Sequence, residues 1–441
     1  MNISKNAEKI IDLLQNSGFE AYAVGGCVRD CIMGRPVSDV DITTSALVVD
    51  TEHVLQSNNI RFIETGIKHG TITAIIDDEQ FEITTFRTDG EYRDNRHPES
   101  VCFVTNLSDD LSRRDFTINA IAYNNQKGVV DLYNGREDIN NKIIRTVGDA
   151  NRRFNEDALR IMRALRFASV LGFDIESDTK SAIFKNKNLL KNVSVERIFA
   201  EFSKLLLGDN VEQILLEYKE IFAVIMPQIE PCFDCRQNTK WHNYDVYTHS
   251  VKSVAVAPKS LELRLTLLLH DIGKPQCKTT DINGQDHFKG HPQVGVNIAH
   301  EILKSFKASN QIINKVLLLV EHHDDDLSTK PSTIKRWISY VGKDNIIDLI
   351  DVKIADMLTH NLVYAQDTVN YFYEIKQVAS EVLSADEPIS LKDLAVNGHD
   401  IAHLGYKGQQ IGEVLNNLLG IVIEDPTKNN KDYLIKKAKE M

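Results

Sequence analysis

A chain of 441 residues is too long for one ordinary core and is expected to divide into two to four domains. With 42% hydrophobic and 26% charged residues the composition is globular; no apolar run reaches membrane-spanning length, and MNISKNAEKIIDLLQ lacks a signal peptide's apolar core, so the cytoplasm is expected. A net charge of −12 argues against nonspecific coating of nucleic acid, yet Arg113–Arg166 holds eleven Lys/Arg against seven Asp/Glu and the last fifteen residues are lysine-rich, which suits a polyanion handled at one defined place.

In chain order, residues 5–17 read as an amphipathic helix, followed by the strand-like runs AYAV, DVDIT, GTITAII, FEITTF and VCFV. Asp77-Asp78-Glu79 separates two of these runs as a hairpin turn would. The segment GGCVRDCIMGRPVSDVDITT carries the densest chemistry. Gly25 and Gly26 let backbone approach a phosphate, and Arg29 offers a bidentate donor beside them. Asp39 and Asp41, two apart on a strand, project two carboxylates from one face. Together they describe a metal-dependent phosphoryl or nucleotidyl transfer site. Glu82, in QFEITTFR, is a candidate third carboxylate on a neighbouring strand, the alternative being a cross-strand polar residue. TTFRTDGEYRDNRHPESV then reads as a mobile loop able to act as a lid. In LSRRDFTINA, adjacent arginines could hold a triphosphate. They cannot both face one way, and Arg114 is the one expected at the site.

From 155 onward helical periodicity dominates: Ala158, Ile161, Met162 and Leu165 mark a buried face. No strong strand signal follows residue 150. Asp157 and Arg160 are i, i+3 neighbours on that helix, either as a plain ion pair or as a recognition edge. Cytosine and adenine present an amino donor beside a ring-nitrogen acceptor, whereas uracil and guanine present the reverse. A carboxylate beside a guanidinium complements the first pattern and clashes with the second. Arg163 and Arg166 continue the row, with Arg166 drifting away from Asp157 toward phosphate or RNA.

These segments, with TGIKHGTITAII, DLYNGREDI, NEDALRIMRALRFA and VSVERIFAEFSKLL, resemble the ordered motifs of class II tRNA nucleotidyltransferases, the bacterial CCA-adding enzymes of the polymerase β superfamily. The resemblance covers most of residues 20–205. It implies that Gly26 and Arg29 contact the incoming nucleotide, that Asp39 and Asp41 bind Mg²⁺, and that Arg114, Asp157, Arg160, Arg163 and Arg166 complete the nucleotide site. It implies CTP, ATP and tRNA as partners, with a tRNA 3′-hydroxyl attacking the α-phosphate. A-only addition and poly(A) polymerase are the neighbouring readings; TGIKHGTI favours the CCA-adding form, and the intact segment 84–98 argues against a CC-only enzyme.

Downstream, Cys232 and Cys235 form a lone CxxC and read as ordinary cysteines, and none of the six cysteines shows disulfide-framework spacing. WHNYDVYTHSVKSV, LRLTLLLHDIGKP, FKGHPQVG, VEHHDD and VKIADMLTHN then place His249, His270-Asp271 and Asp356 in an H…HD…D series. An apolar run ending in His-Asp puts imidazole and carboxylate where burial needs a metal or partners, and the donor set suits Mn²⁺, Ni²⁺, Fe or Mg²⁺. His291 and His322, with His323 adjacent, are candidates for a second metal. This half resembles the HD superfamily of metal-dependent phosphohydrolases, which implies phosphodiesterase or phosphatase activity, with 2′,3′-cyclic phosphates as one substrate class. A rival reading makes the chain an HD phosphohydrolase with a nucleotide-sensing N-terminal half. The tail around Gly405, Gly408 and Gly412 resembles the closing region of the nucleotidyltransferases, with a helix start at 408–410 as an RNA-phosphate seat.

The expected fold is an α+β nucleotidyltransferase head with a mixed or antiparallel sheet over 1–145, followed by a mostly α-helical neck over 146–230, an HD domain over 240–365 and a helical RNA-binding tail over 385–441.

Overall fold

The structure, a computed structural model, describes residues 1, 3–37, 39–89, 101–385 and 387–441, and separates into two units, Met1–Ile225 and Met226–Met441. Within the first, a Ser4-capped helix, Lys5–Asn16, buries Ala7, Ile10, Ile11 and Leu14. The strands are β1 (Ala21–Val24), β2 (Asp41–Thr44), β3 (Arg61–Gly66), β4 (Thr71–Ile76), β5 (Glu79–Thr85), β6 (Arg87–Asp89), β7 (Val101–Phe103), β8 (Ile121–Asn124) and β9 (Gly128–Asp131). Seven of them form one sheet in the order β3-β4-β5-β2-β1-β8-β9, while β6 and β7 pair separately. Only β2 and β5 run parallel within the seven-stranded sheet; its other neighbours are antiparallel, so the sheet is mixed as expected. The β4–β5 hairpin turns on Asp77 and Asp78, both at positive φ (47° and 64°), a conformation that matches the twist of the flanking strands and that Asp tolerates. The lid expected over 84–98 lies largely outside the described residues.

The helical part of this unit is built on Ala150–Glu156, Leu159–Leu171 and Val195–Leu206. Ala158, Ile161, Met162 and Leu165 are buried, as their spacing predicts. Two short pairs of two-residue strands, Ile143–Ile144 with Asp174–Ile175 and Thr279–Thr280 with Asp286–His287, have no sequence signal because two residues are too few to alternate.

In the second unit, Leu261–Leu269 is apolar on nearly every side and buried from Leu263 to Leu269, the pattern of a central helix. Around it stand Val246–Val256, His291–Ser305, Asn310–His322 and Lys343–Met357. Gly273 lets the turn after the central helix press onto His291–Ser305: a Cβ there would fall 2.3 Å from the His291 carbonyl oxygen. The tail helices Gly398–Ala402, Gln409–Glu424 and Lys431–Ala438 share a core that includes Ile401, Leu418, Val422 and Leu434.

Candidate active sites

The parallel register that sets Ile42 beside Ile83 carries Asp41 and Glu82 onto neighbouring strands at the same height and on the same face. Asp41 is exposed, yet crowding by protein atoms, then the charges of Glu82 and Asp39, push its carboxyl above the usual range against the pull of Arg114. A carboxyl raised by crowding and by neighbouring negative charge fits a divalent cation, whose charge would offset the repulsion. β2 begins at Asp41, so Asp39 stands just outside the strand rather than inside it. It lines a cavity of about 570 Å³ together with Ser4, Asp78, Glu79 and Gln80.

Gly25 has φ +83°, and a Cβ on it would meet Arg114 Nη1 at 3.3 Å, so the glycine turn and this arginine share one space. Arg113 and Arg114 do not face apart as expected. The helix Leu107–Ser112 ends before them, and both reach back to the buried Asp110, Arg113 Nη2 at 2.8 Å and Arg114 Nη2 at 3.2 Å. Arg114 Nε is buried with no hydrogen-bond partner. Arg29, expected as a bidentate donor beside the glycines, donates Nε–H and Nη2–H to Asp30 (3.0 and 2.9 Å) and Nη1–H to Asn119 (2.6 Å).

Asp157 and Arg160 are not an intrahelical pair. The chain breaks between the two helices at Asp157, which leaves helical geometry (φ −136°, ψ 105°) and accepts the Leu159 N–H at 3.0 Å. Its other oxygen accepts from Arg197 Nη2 at 3.0 Å, while Arg160 donates to Glu156 (2.9 Å) and to the Arg113 carbonyl (3.0 Å). Each is held by its own partner. Arg163 Nε donates to Asp115 at 2.8 Å. Burial alone would raise Asp115, but Arg163, Arg160 and Asn119 hold it down at about 2. Arg166 turns away from Asp157, as expected, and pairs with Glu201. The guanidiniums of Arg29, Arg163 and Arg166 all lie over the Phe167 ring, at 5.2, 5.5 and 3.8 Å from its centroid. Arg197, Glu156, Asp115 and Asn119 were missed by the sequence reading: Arg197 lies 40 residues from Asp157, and the other three, although inside the same segments as the named residues, brace an arginine or its partner through contacts that spacing alone does not reveal.

In the second unit, His249, His270, Asp271 and Asp356 do converge. His249 Nε2 lies 2.7 Å from Asp356 Oδ1, and His270 Nε2 lies 3.2 Å from Asp271 Oδ2 and 3.5 Å from Asp356 Oδ1. Asp271 faces both ways: Oδ1 meets His291 Nε2 at 3.3 Å and His323 Nε2 at 3.8 Å, while Oδ2 meets Lys274 at 2.6 Å. His291 and His323 bring their Nε2 atoms to 3.1 Å. His322 does not join them. It turns to Asp325 (2.6 Å) and packs its ring on Trp337 and Tyr340, so the second-metal candidate is corrected to its neighbour. The signal was available: Val316, Leu319, Val320 and His323 follow the i, i+3, i+4, i+7 pattern of the buried face.

Four of these imidazoles are oriented alike. Nδ1 of His270, His291 and His323 meets the carbonyl oxygens of Leu267, Phe288 and Val320, and Nδ1 of His249 meets the Thr359 hydroxyl. That leaves every Nε2 as a lone pair aimed inward, the arrangement of metal-bound histidine. Burial alone would lower His270, but Asp271 and Asp356 raise it to about 10, the mark of local negative charge that a cation would offset. Three groups of donors, His249/Asp356/His360, His249/His270/Asp271 and Asp271/His291/His323, each gather within 4.8 Å. The donor chemistry fits divalent metal.

A carboxylate-bearing mixed sheet beside an arginine-rich helical neck, followed by a helical unit with a histidine–aspartate cluster, defines a nucleotidyltransferase joined to an HD domain. Residues 21–145 match the Poly A polymerase head domain, 172–233 the probable RNA and SrmB-binding site of polymerase A, and 246–361 the HD domain. The chain is 51% identical to a CCA-adding enzyme of Lactobacillus helveticus, over 99% of this chain and 96% of that one. It is 33% identical to one of Pediococcus pentosaceus, over 98% and 96%. It also matches the crystal structure of the Bacillus stearothermophilus CCA-adding enzyme in complex with CTP, at a TM-score of 0.74 and 29% identity, over 98% of this chain and 96% of that one. The chain belongs to the CCA-adding enzyme family. No helix among the described residues is long and apolar enough to cross a membrane.

Proposed function

We propose that this chain adds C, C and A to the 3′ end of tRNA from CTP and ATP, without a nucleic-acid template. The observation that carries the reading is the pairing of Asp41 and Glu82 across parallel strands, with Asp39 at the strand entrance and Arg114 against Gly25. Asp39 and Asp41, with Glu82 beside them, would hold Mg²⁺. Bound there, it would lower the pKa of the attacking hydroxyl and neutralise the leaving pyrophosphate. Gly25 and Gly26 bring backbone close to the triphosphate, and Arg114 supplies positive charge to it. Asp157, held by Arg197, and Arg160, held by Glu156, present acceptor and donor separately to the base edge. Two independently braced groups can admit cytosine and adenine and refuse uracil and guanine. Arg163 and Arg166 stiffen this wall through Asp115, Glu201 and Phe167. The cytoplasm is supported by six cysteines, none of them in a disulfide. The test is labelled CTP incorporation into tRNA lacking its 3′ CCA: the wild-type chain incorporates with Mg²⁺, and a folded Asp41→Ala variant does not. Turnover above a few per cent in that variant would sink the metal-site assignment.

A second reading concerns the HD unit and is carried by the inward-facing Nε2 atoms. His249, His270, Asp271 and Asp356 would hold one divalent metal, and Asp271, His291 and His323 a second, for hydrolysis of phosphate mono- or diesters. Metals so held would activate water at neutral pH. Hydrolysis of bis(p-nitrophenyl) phosphate by the manganese-loaded chain tests it.

A further inference from the structure

Beyond the H…HD…H…H…D series lies one more histidine whose surroundings match those of the ligands. His360 Nε2 stands 3.4 Å from Asp356 Oδ1, the same oxygen that His249 and His270 approach at 2.7 and 3.5 Å. Metal–nitrogen and metal–oxygen bonds are about 2.0–2.2 Å, so neighbouring ligands of one ion sit about 3 Å apart. All three contacts are of that order.

The chain places His360 there by a short device. The helix Lys343–Met357 ends just after Asp356, and the next turn sets Thr359 and His360 against His249. The Thr359 hydroxyl meets His249 Nδ1 at 3.0 Å, and the His360 ring lies 5.1 Å from the His249 ring. On its far side, the His360 ring lies 4.5 Å from that of His242. His360 Nδ1 and His242 Nε2 are both buried and both without a hydrogen-bond partner. Thr239 meets the other nitrogen of His242 at 2.8 Å. The Thr239 contact fixes the His242 ring, and the His360 ring packs against it. His360 Nε2 faces Asp356, where a metal-bound imidazole would place its lone pair. The carboxylate oxygen it faces is one that His249 and His270 also approach, a convergence that a cation can fill.

We propose that His360 is a further metal ligand of the HD centre, binding through Nε2 beside His249 and Asp356, with His242 holding its ring. The proposal rests on the metal-centre reading above. His242 also lines a cavity of about 480 Å³ with Arg236, Asn238 and Tyr244, so the added ligand would link the metal to that opening.

The test is Co²⁺ binding by the full chain after chelator stripping. The expected result is that His360→Asn weakens Co²⁺ binding about tenfold or more and alters the visible d–d bands, whereas His322→Asn, whose ring turns to Asp325, changes neither. Weakened binding with an unchanged spectrum would make His360 a positioning residue for Asp356 and overturn the proposal, as would wild-type affinity. If the wild-type chain takes up no cobalt, the metal-centre reading and the proposal fall together. Should His360→Asn not fold, the wild-type chain suffices. With both sites loaded, exchangeable hyperfine-shifted imidazole N–H signals should come from His249, His270, His291, His323 and His360; signals from only the first four would overturn it.

Discussion

Asp115 is buried, accepts from the Phe116 N–H and the Asn119 amide, and faces Arg163. Its carboxyl is held below the usual range, so the stability it contributes is fully present above about pH 4 and is lost as pH falls toward its folded value of about 2. Asp115→Asn should therefore destabilise the first unit at pH 7 by about 2 kcal/mol, the scale of hydrogen bonds to a charged group. The same variant should show a shallower loss between pH 4 and 2, read from denaturant midpoints across that range. Asp157 differs in kind, because one of its oxygens faces Arg197 and the other caps a helix. Asp157→Asn supplies an amide N–H that can face a carbonyl and should relax the rejection of UTP, measured as single-nucleotide incorporation. Unchanged selectivity in both Asp157→Asn and Arg160→Ala would show that neither reads the base.

At the scale of elements, the glycine turn before Gly26–Ile32 and the turn after the central HD helix set both sites by close approach. Gly25→Ala should cost about 1–3 kcal/mol for a side chain forced into a conformation that favours glycine. It should also raise KM for the nucleotide by displacing Arg114; an unchanged KM in a folded variant would contradict that placement. The β4–β5 hairpin and the buried face of Leu159–Leu171 were legible because period and turn residues recur within a few positions. β3, β8 and β9 were not singled out: β3 is largely exposed and β9 only half buried, so neither shows a clean alternation. The break at Asp157 was hidden because its neighbours keep helical spacing on both sides. The misassigned second-metal histidine shows the opposite case, in which helical phase held the answer and adjacency obscured it. Sequence singled out 249, 270, 271 and 356 as candidate HD ligands because His270-Asp271 follows a buried apolar helix and Asp356 lies in the last turn of another, completing an H…HD…D series. It missed His360 because one histidine beyond a motif has no pattern of its own.

Across the whole molecule, the two candidate centres draw on separate residues: Asp39, Asp41 and Glu82 belong to the first unit, and every HD donor belongs to the second. A His270→Ala, Asp271→Ala double variant should lose hydrolysis of phosphate esters and keep nucleotide addition. A melting curve must accompany the assay, since the remaining imidazoles would be left buried. Loss of nucleotide addition in a folded variant would mean that the centres are coupled. The central claim, addition of CCA rather than of A alone or of a poly(A) tail, is tested most directly by sequencing product ends. The chain is incubated with tRNA ending at its discriminator base and with all four nucleoside triphosphates. The account predicts ends that read CCA and stop there, with uridine and guanosine absent; ends carrying a single A, or a run of A, would contradict it.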